Sequence, residues 1–511
     1  MATRTHLTRL AIVIPGLWLG ITLPALADEP VPTPANSNSP TQLGETSNNE
    51  QVAQEKVADA PVQVVAPKKY KLQTQTEIGL QYVLEENLFW NLSENFAPKE
   101  NFNPDRSWWE GYLKFGVTAE AKLSPRRTAY GGLSFVASGT LKEDAFTAGN
   151  TGRVTLENAY AGIRFSGSKT TSDFSVGAQP YRIGTGMLVS NGASNGFERG
   201  ALKLGPRKAF AMTAIGRVSH KNYRLEGFYL DANELPDKDS NTQLVGTHLA
   251  WEPNDKHKLG LSYGRVISSN APYPQAGSDD NFGIPTIING GRRGLSFIQA
   301  YGKWVPYEKK ESQLWLGADL AYEWNRRIDL QAYGGRVEVG YKLKEKRFKP
   351  SLKYSFQLFS GDDPKTKRLE RFDPLFYEGS PDAWSTGNKS SMVFINTNVN
   401  SHQVQLDLTL SPKDLISFYA ARVSATKLRS PLQFGQASRL IFTDTGPMIL
   451  SGVTKSHLSD DLMLKYTRIV NPNTYLTSGL SVSFPGASMD ELKGGNAPVW
   501  AGMFVNVVIA F

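Results

Sequence analysis

The chain has 511 residues, a formal net charge of +8, 20% charged and 11% aromatic residues, and no cysteine. That length suits several soluble domains or one large closed sheet, and the missing cysteines exclude a disulfide framework and a thiolate metal site. The mean hydropathy of −0.35 does not announce a membrane protein, and no HExxH or GxxxxGK[ST] occurs, so neither an enzyme nor a metal, cofactor or nucleic-acid role is expected.

Residues 1–27 open with MATRTHLTR, continue with the apolar LAIVIPGLWLGITLP and end on Ala25-Leu26-Ala27. A basic start, an apolar stretch and a small-x-small site predict a cleaved signal peptide rather than a membrane anchor. Its removal takes away Arg4 and Arg9 and no acid. Residues 28–66 are rich in Pro, Asn, Ser, Gln and Glu, with almost no large apolar residue before Val62. Such a segment cannot bury enough surface to offset its ordering entropy, so a disordered periplasmic tether is expected.

From residue 67 onward the apolar residues alternate. In LWLGADLAYEW, Leu314, Leu316, Ala318, Leu320, Tyr322 and Trp324 share one face, while Trp315, Gly317, Asp319, Ala321 and Glu323 share the other. SLKYSFQLF and HQVQLDLTL repeat the pattern, which is that of a strand. Eighteen strands are predicted, at 71–84, 107–120, 126–139, 152–166, 171–179, 207–216, 221–231, 241–251, 256–268, 293–305, 312–326, 329–343, 348–361, 402–411, 414–425, 456–470, 473–484 and 498–511.

The connections carry the reading. Every even-numbered one has six residues or fewer, and the odd-numbered ones are long, apart from a tight hairpin near Asn325–Ile328. Short turns alternating with long loops predict an all-β fold, an 18-stranded antiparallel barrel in the bacterial outer membrane, with its short turns in the periplasm. The long loops expected outside are 180–206, 269–292, 362–401 and 426–455. Aromatic residues near strand ends (Trp108, Trp109, Tyr263, Trp304, Trp324, Tyr341, Trp500) suit interfacial girdles. The last strand must pair with the first, because unpaired backbone groups in lipid cost several kcal/mol each. A terminal strand ending on Phe511 resembles the signal that such barrels present to their assembly machinery.

With the apolar face of each strand toward lipid, the opposite face lines a lumen too wide for side chains to fill. Alternation places Lys114, Arg224, Arg336, Lys342, Lys353, Arg422 and Lys465 there, with Glu110, Glu226, Asp319, Glu323, Glu338 and Asp407 between them. Basic groups raise the local concentration of an anionic solute, and interleaved acids keep any one site weak enough to release it. Loop 362–401 holds Phe372, Leu375, Phe376 and Trp384 beside many charges, which predicts packing into or over the pore. Its Asp362-Asp363 pair is expected to be a solvated turn, because no spaced series of calcium ligands follows.

Two stretches resemble the alginate-export family of outer-membrane barrels. The first is SGDDPKTKRLERFDPLFYEG, residues 360–379, with Arg371, Phe372, Asp373 and Pro374 in the family's Arg-Phe-Asp-Pro-Leu-Phe element. The second is VGAQPYRIGTGMLVSNGASNGFERGALKLG, residues 176–205, in which Gly177, Gln179, Gly184, Gly186, Leu188, Val189, Ser190, Phe197 and Gly200 fit. The family usually carries Arg between that Gly and Gln, where this chain has Ala178, and Arg182 and Arg199 are the candidates to compensate. The resemblance implies an 18-stranded barrel with an electropositive constriction, formed by these motif residues, that passes a polyuronate or related exopolysaccharide outward. A periplasmic synthesis scaffold would be its partner, contacted through the tether or the basic turn at Lys342–Lys349. A selective uptake porin for small anions, and a structural or enzymatic barrel, remain as alternative readings.

Overall fold

The computed structural model describes residues 70–92, 103–277, 285–379, 383–384, 394–433 and 453–511, together with short strand segments at 442–443, 446–447 and 449–450. The expected signal peptide and tether lie outside the described residues.

Eighteen antiparallel strands form one sheet that closes on itself. In chain order they are β1 Tyr70–Glu86, β2 Arg106–Ser124, β3 Arg127–Leu141, β4 Thr151–Ser166, β5 Thr170–Gln179, β6 Phe210–His220, β7 Tyr223–Asp231, β8 Gln243–Asn254, β9 His257–Ser268, β10 Ser296–Glu308, β11 Ser312–Asn325, β12 Leu330–Leu343, β13 Ser351–Phe359, β14 Val399–Ser411, β15 Asp414–Ala425, β16 His457–Asn471, β17 Thr474–Pro485 and β18 Trp500–Ala510. Each strand pairs with its chain neighbours. β18 also pairs with β1 from Glu77↔Ala510 to Glu86↔Ala501, and the backbones of Thr76 and Phe511 exchange two further hydrogen bonds at 3.1 and 2.8 Å. No edge is left for lipid to desolvate.

The expected alternation of connections holds. Even-numbered ones run to seven residues at most, at 344–350. The odd-numbered ones include 180–209, 269–295, 360–398 and 426–456, with the hairpin 326–329 as the short exception. Both ends of the barrel chain lie at the short-turn rim, which is the periplasmic rim in this architecture.

Along each strand, exposed apolar side chains alternate with inward ones. Leu316, Leu320 and Tyr322 on β11 face out, whereas Asp319, Ala321 and Glu323 are buried inside. Trp109, Tyr263, Trp304 and Tyr341 are exposed on the outer face as expected of girdles. Trp324 joins them by stacking on Tyr322, ring centroids 6.0 Å apart. Trp108 and Trp500 do not, because both point inward and are fully buried.

The apolar core lies inside the barrel and is built largely from loops. Ile183, Met187, Leu188 and Val189 of 180–209 pack with Phe372, Leu375, Phe376 and Trp384 of 360–398, all buried. Each such large side chain contributes roughly 1.5–3 kcal/mol on leaving water. The same cluster continues to the extracellular end of the β1–β18 seam. There Phe89 and Trp90, in a 3-10 turn (Leu88–Asn91), meet Trp500 at centroid distances of 5.3 and 5.4 Å.

Candidate functional site: a loop pair crossing the lumen

The connection 180–209 leaves β5 and enters the barrel because the wall offers it acceptors. On β2, the buried Glu110 carboxylate accepts the Lys203 and Leu204 N–H groups at 2.9 and 3.0 Å. On β4, Glu157 accepts those of Lys208 and Ala209 at 2.7 and 3.0 Å. At the other end of the segment, the Thr185 hydroxyl donates to Asp319 on β11, which Gln299 of β10 also contacts at 2.8 Å. β2 and β11 stand nine strands apart in a ring of eighteen, so they are opposite walls. The span from Thr185 to Leu204 therefore crosses the lumen. Gly184 makes the close approach to the wall: its φ is +52°, and a Cβ there would sit 2.5 Å from the Tyr301 ring.

The second loop lies against the first. Ser190 N–H donates to the Phe376 carbonyl at 2.8 Å, Phe376 N–H to Leu188 at 2.8 Å, and Glu378 N–H to Gly186 at 2.8 Å. A single parallel bridge at Val189 and Phe376, with the Glu378–Gly186 bond beside it, joins the two stretches singled out from sequence, 176–205 and 360–379. Glu378 is buried, and its carboxylate accepts from Ser190 at 3.1 Å and pairs with Lys208 at 3.4 Å. Burial pushes its pKa up, but Lys208 and Arg182 outweigh that and hold it below the usual value.

Arg371, Phe372, Asp373 and Pro374 are all buried. Asp373 receives a two-pronged contact from Arg292 at 2.7 and 3.1 Å, and its own N–H donates to Glu323 of β11 at 2.8 Å. Burial opposes the Arg292 charge, yet the touching Asp373 carboxylate raises its pKa overall. The Arg371 guanidinium lies 5.8 Å from the Tyr273 ring centroid, and burial lowers its pKa. Phe372 packs on Phe359 of β13 at 5.3 Å. This element thus bolts loop 360–398 to loop 269–295 and the wall.

The expected path residues divide into three sets. Lys114, Arg224, Arg336, Lys342, Lys353 and Lys465 stand on the inner face. Arg224 pairs with Glu226 at 2.9 Å and Glu252 at 3.2 Å. Arg336 pairs with Glu338 at 3.4 Å and caps the Trp384 ring at 4.1 Å. Lys465 lies 5.5 Å from the Tyr419 ring centroid. Lys342 sits near the periplasmic rim, opposite Gln313 and Ser351. Asp319 and Glu323 also face inward, but they hold loops. Arg199 is buried and spends its donors on Ser194, Asn233 and Glu234 at 2.8–3.2 Å, so it clamps its loop to the connection 232–242.

Arg422 departs from the expectation. On β15 the inward residues are Ser417, Tyr419, Ala421 and Val423, and Arg422 points outward, 4.0 Å from Asp460. Asp362 departs as well: it is no solvated turn, because its buried carboxylate accepts the N–H groups of Ala276 and Glu370 at 2.7 and 2.9 Å. Sequence reasoning missed Glu110 and Glu157 as loop anchors. Their signal was an acid on the inner face near the extracellular end of a strand.

Residues 134–425 match the model of a family described as alginate export. The chain belongs to the alginate export family. Among solved structures, the outer membrane protein OpdK from Pseudomonas aeruginosa superposes with a TM-score of 0.50 at 11% identity, covering 86% of this chain and 98% of that one. OccAB1 of Acinetobacter baumannii gives 0.50 and 11%, covering 86% and 96%. At such identity the likeness shows the fold. No curated protein matches the sequence. Family and closed barrel together place this family member in the bacterial outer membrane, as a channel-type barrel.

In this family member the Gly177-Ala178-Gln179 stretch is a bulge, where the β5–β6 register shifts. Gly177 has φ +119°, and a Cβ would lie 2.2 Å from the Ala159 carbonyl oxygen. Gln179 donates to Ser175 and Thr213 at 3.0 and 2.8 Å. Both motif residues shape the exit of β5 into the crossing loop. Arg182 of that loop donates to Gly184 and Thr185 carbonyls at 3.3 and 2.6 Å.

Proposed function

We propose that this barrel is a passive channel through which an anionic exopolysaccharide, an alginate-like polyuronate, leaves the cell along an electropositive inner wall. The observation that carries the reading is the pairing of inward cations with a loop that crosses the lumen. Arg217, Arg224, Lys303, Arg336, Lys353 and Lys465 line different sectors of the wall, while the crossing loop and the loop bridged to it lie above them. A long polymer needs such a plug to keep the outer membrane sealed between export events, and it needs repeated weak anion sites rather than one strong one. No energy source is required at the membrane, because synthesis behind the polymer would push it. A periplasmic synthesis scaffold would deliver the chain, and the exposed Phe511 side chain would be read by the assembly machinery during insertion.

Substrate-selective uptake of small anions is the second reading. It is favoured by the number of buried anchors, since a loop pinned at Glu110, Glu157 and Asp319 is also what a fixed eyelet needs. Planar-bilayer conductance of the purified protein separates the two. Anion selectivity with block by millimolar oligo-uronate, and none by a neutral glucan, supports polymer export. Ohmic passage of small organic anions without block by the oligomer supports uptake, and cation selectivity overturns both.

A further inference from the structure

On the periplasmic side of the crossing loops, the inner wall carries an aromatic surface that the family motifs do not include. Trp315 stands on β11 four residues below the Asp319 anchor, about 13 Å along the strand. Its indole lies over Gly340 of β12: a Cβ at that glycine would be 2.1 Å from Trp315 Cε2 and 2.2 Å from Nε1. The glycine lets the ring fold down onto the sheet, and Trp315 on the inner face stays only partly buried.

Cations surround this ring. Lys303 of β10 is opposite Gly317, its Nζ 5.8 Å from the indole centroid. Lys353 of β13 is opposite Gly340 and pairs with Glu338 at 3.7 Å. Arg336 reaches the same carboxylate at 3.4 Å. Glu338 thus sits among Arg336, Lys353 and Lys303, with Asp319 opposite Arg336, beside a flat apolar face.

That combination selects a ligand. A hexuronate residue carries an apolar C–H face on its pyranose ring and a carboxylate at one edge. The C–H face suits the indole, and the carboxylate suits the Lys303 and Lys353 ammonium groups. A neutral sugar would use only the first feature and a small inorganic anion only the second. The ladder repeats the arrangement farther round. Lys353 is opposite Gln405, Gln405 is opposite Tyr419, and Lys465 lies 5.5 Å from the Tyr419 ring. Trp315 and Tyr419 are four strands apart, roughly 19 Å at ~4.8 Å per strand. Because barrel strands are tilted, a row running across them climbs the wall obliquely, as a threading chain would.

We infer that Trp315 with Lys303 and Lys353 forms a hexuronate-binding platform at the periplasmic approach to the plug, with Tyr419 and Lys465 as its continuation. The inference rests on the polyuronate reading and adds to it a stacking site and its place.

The test compares the purified wild-type protein with Trp315→Phe and Trp315→Leu, using a tri-uronate and a neutral cello-triose added from the periplasmic side of a planar bilayer. The tri-uronate is expected to block the wild type, Trp315→Phe within about threefold of it, and Trp315→Leu only at about tenfold higher concentration, with cello-triose much weaker throughout. Equal tri-uronate block of wild type and Trp315→Leu overturns the platform while leaving polyuronate transport standing. A wild type that the tri-uronate does not block overturns both. Tryptophan emission provides a readout that does not depend on an open pore: the wild-type minus Trp315→Phe difference spectrum should change on adding tri-uronate and stay flat if the ring is no platform. The heat-dependent gel shift of each variant confirms a folded barrel.

Discussion

Asp362 shows how one side chain can set the docking of a loop. It begins the long connection 360–398, is buried, and accepts two backbone N–H groups from different loops. Burial above all, helped by the Glu370 charge, raises its pKa to about 6 against the two N–H donors and Arg371. The docked loop therefore holds the proton more tightly than a free loop, where the carboxyl keeps its ordinary value of 3.8. Docking has its full contribution from this group below about pH 4 and loses it as pH rises through 6. Lowering pH from 7 to 5 is expected to slow hydrogen exchange in residues 360–379, once intrinsic rates are corrected. Asp362→Asn removes the titration, so the slope should flatten there; an unchanged slope would assign the pH response to another group.

At the scale of elements, the strands were legible in the sequence and the loops were not. Alternation of period two, with short and long connections in turn, identifies all eighteen strands because lipid on one side and water on the other force the pattern on every one. It fails where the two faces resemble each other. On β15, Phe418, Ala420 and Arg422 face out while Tyr419, Ala421 and Val423 face in, so hydrophobicity does not say which set is which, and Arg422 was misplaced. Among the loops, the aromatic content of 362–401 announced packing but not its partner. The partner is settled by backbone hydrogen bonds between Leu188–Ser190 and Phe376, which side-chain chemistry does not encode. Arg199 was a plausible anion contact by type, and only its carbonyl partners reveal a clamp. The crossing segment gives a direct prediction. Replacing residues 186–203 with a short Gly-Ser linker should leave the eighteen strands closed, because none of them needs that segment for pairing, and should raise single-channel conductance severalfold. Unchanged conductance would mean that the span from Thr185 to Leu204 does not obstruct the pore.

For the whole molecule, the decisive property is which way each residue faces, since a barrel in lipid has two unlike solvents separated by one layer of backbone. Neighbouring positions on one strand then differ more than distant positions on one face. Val404 and Gln403 of β14 make the comparison clean. They adjoin in sequence, near the middle of a strand running from Val399 to Ser411, yet Val404 is exposed on the outer face and Gln403 points inward. An arginine at 404 must place its guanidinium in hydrocarbon or bend it to the interface, at a cost of about 2–4 kcal/mol near the bilayer midplane. The same residue at 403 enters a wall already lined with Lys353 and Lys465 and keeps access to polar groups. Urea unfolding in lipid vesicles should therefore show Val404→Arg destabilised by that amount and Gln403→Arg by much less. Like charges inside add some repulsion, so Gln403→Arg is expected to fall slightly and to shift selectivity further toward anions in the same preparation. If the two variants lost equal stability, the assignment of faces on β14 would be wrong, and with it the inner row that runs from Trp315 through Lys353 and Gln405 to Tyr419.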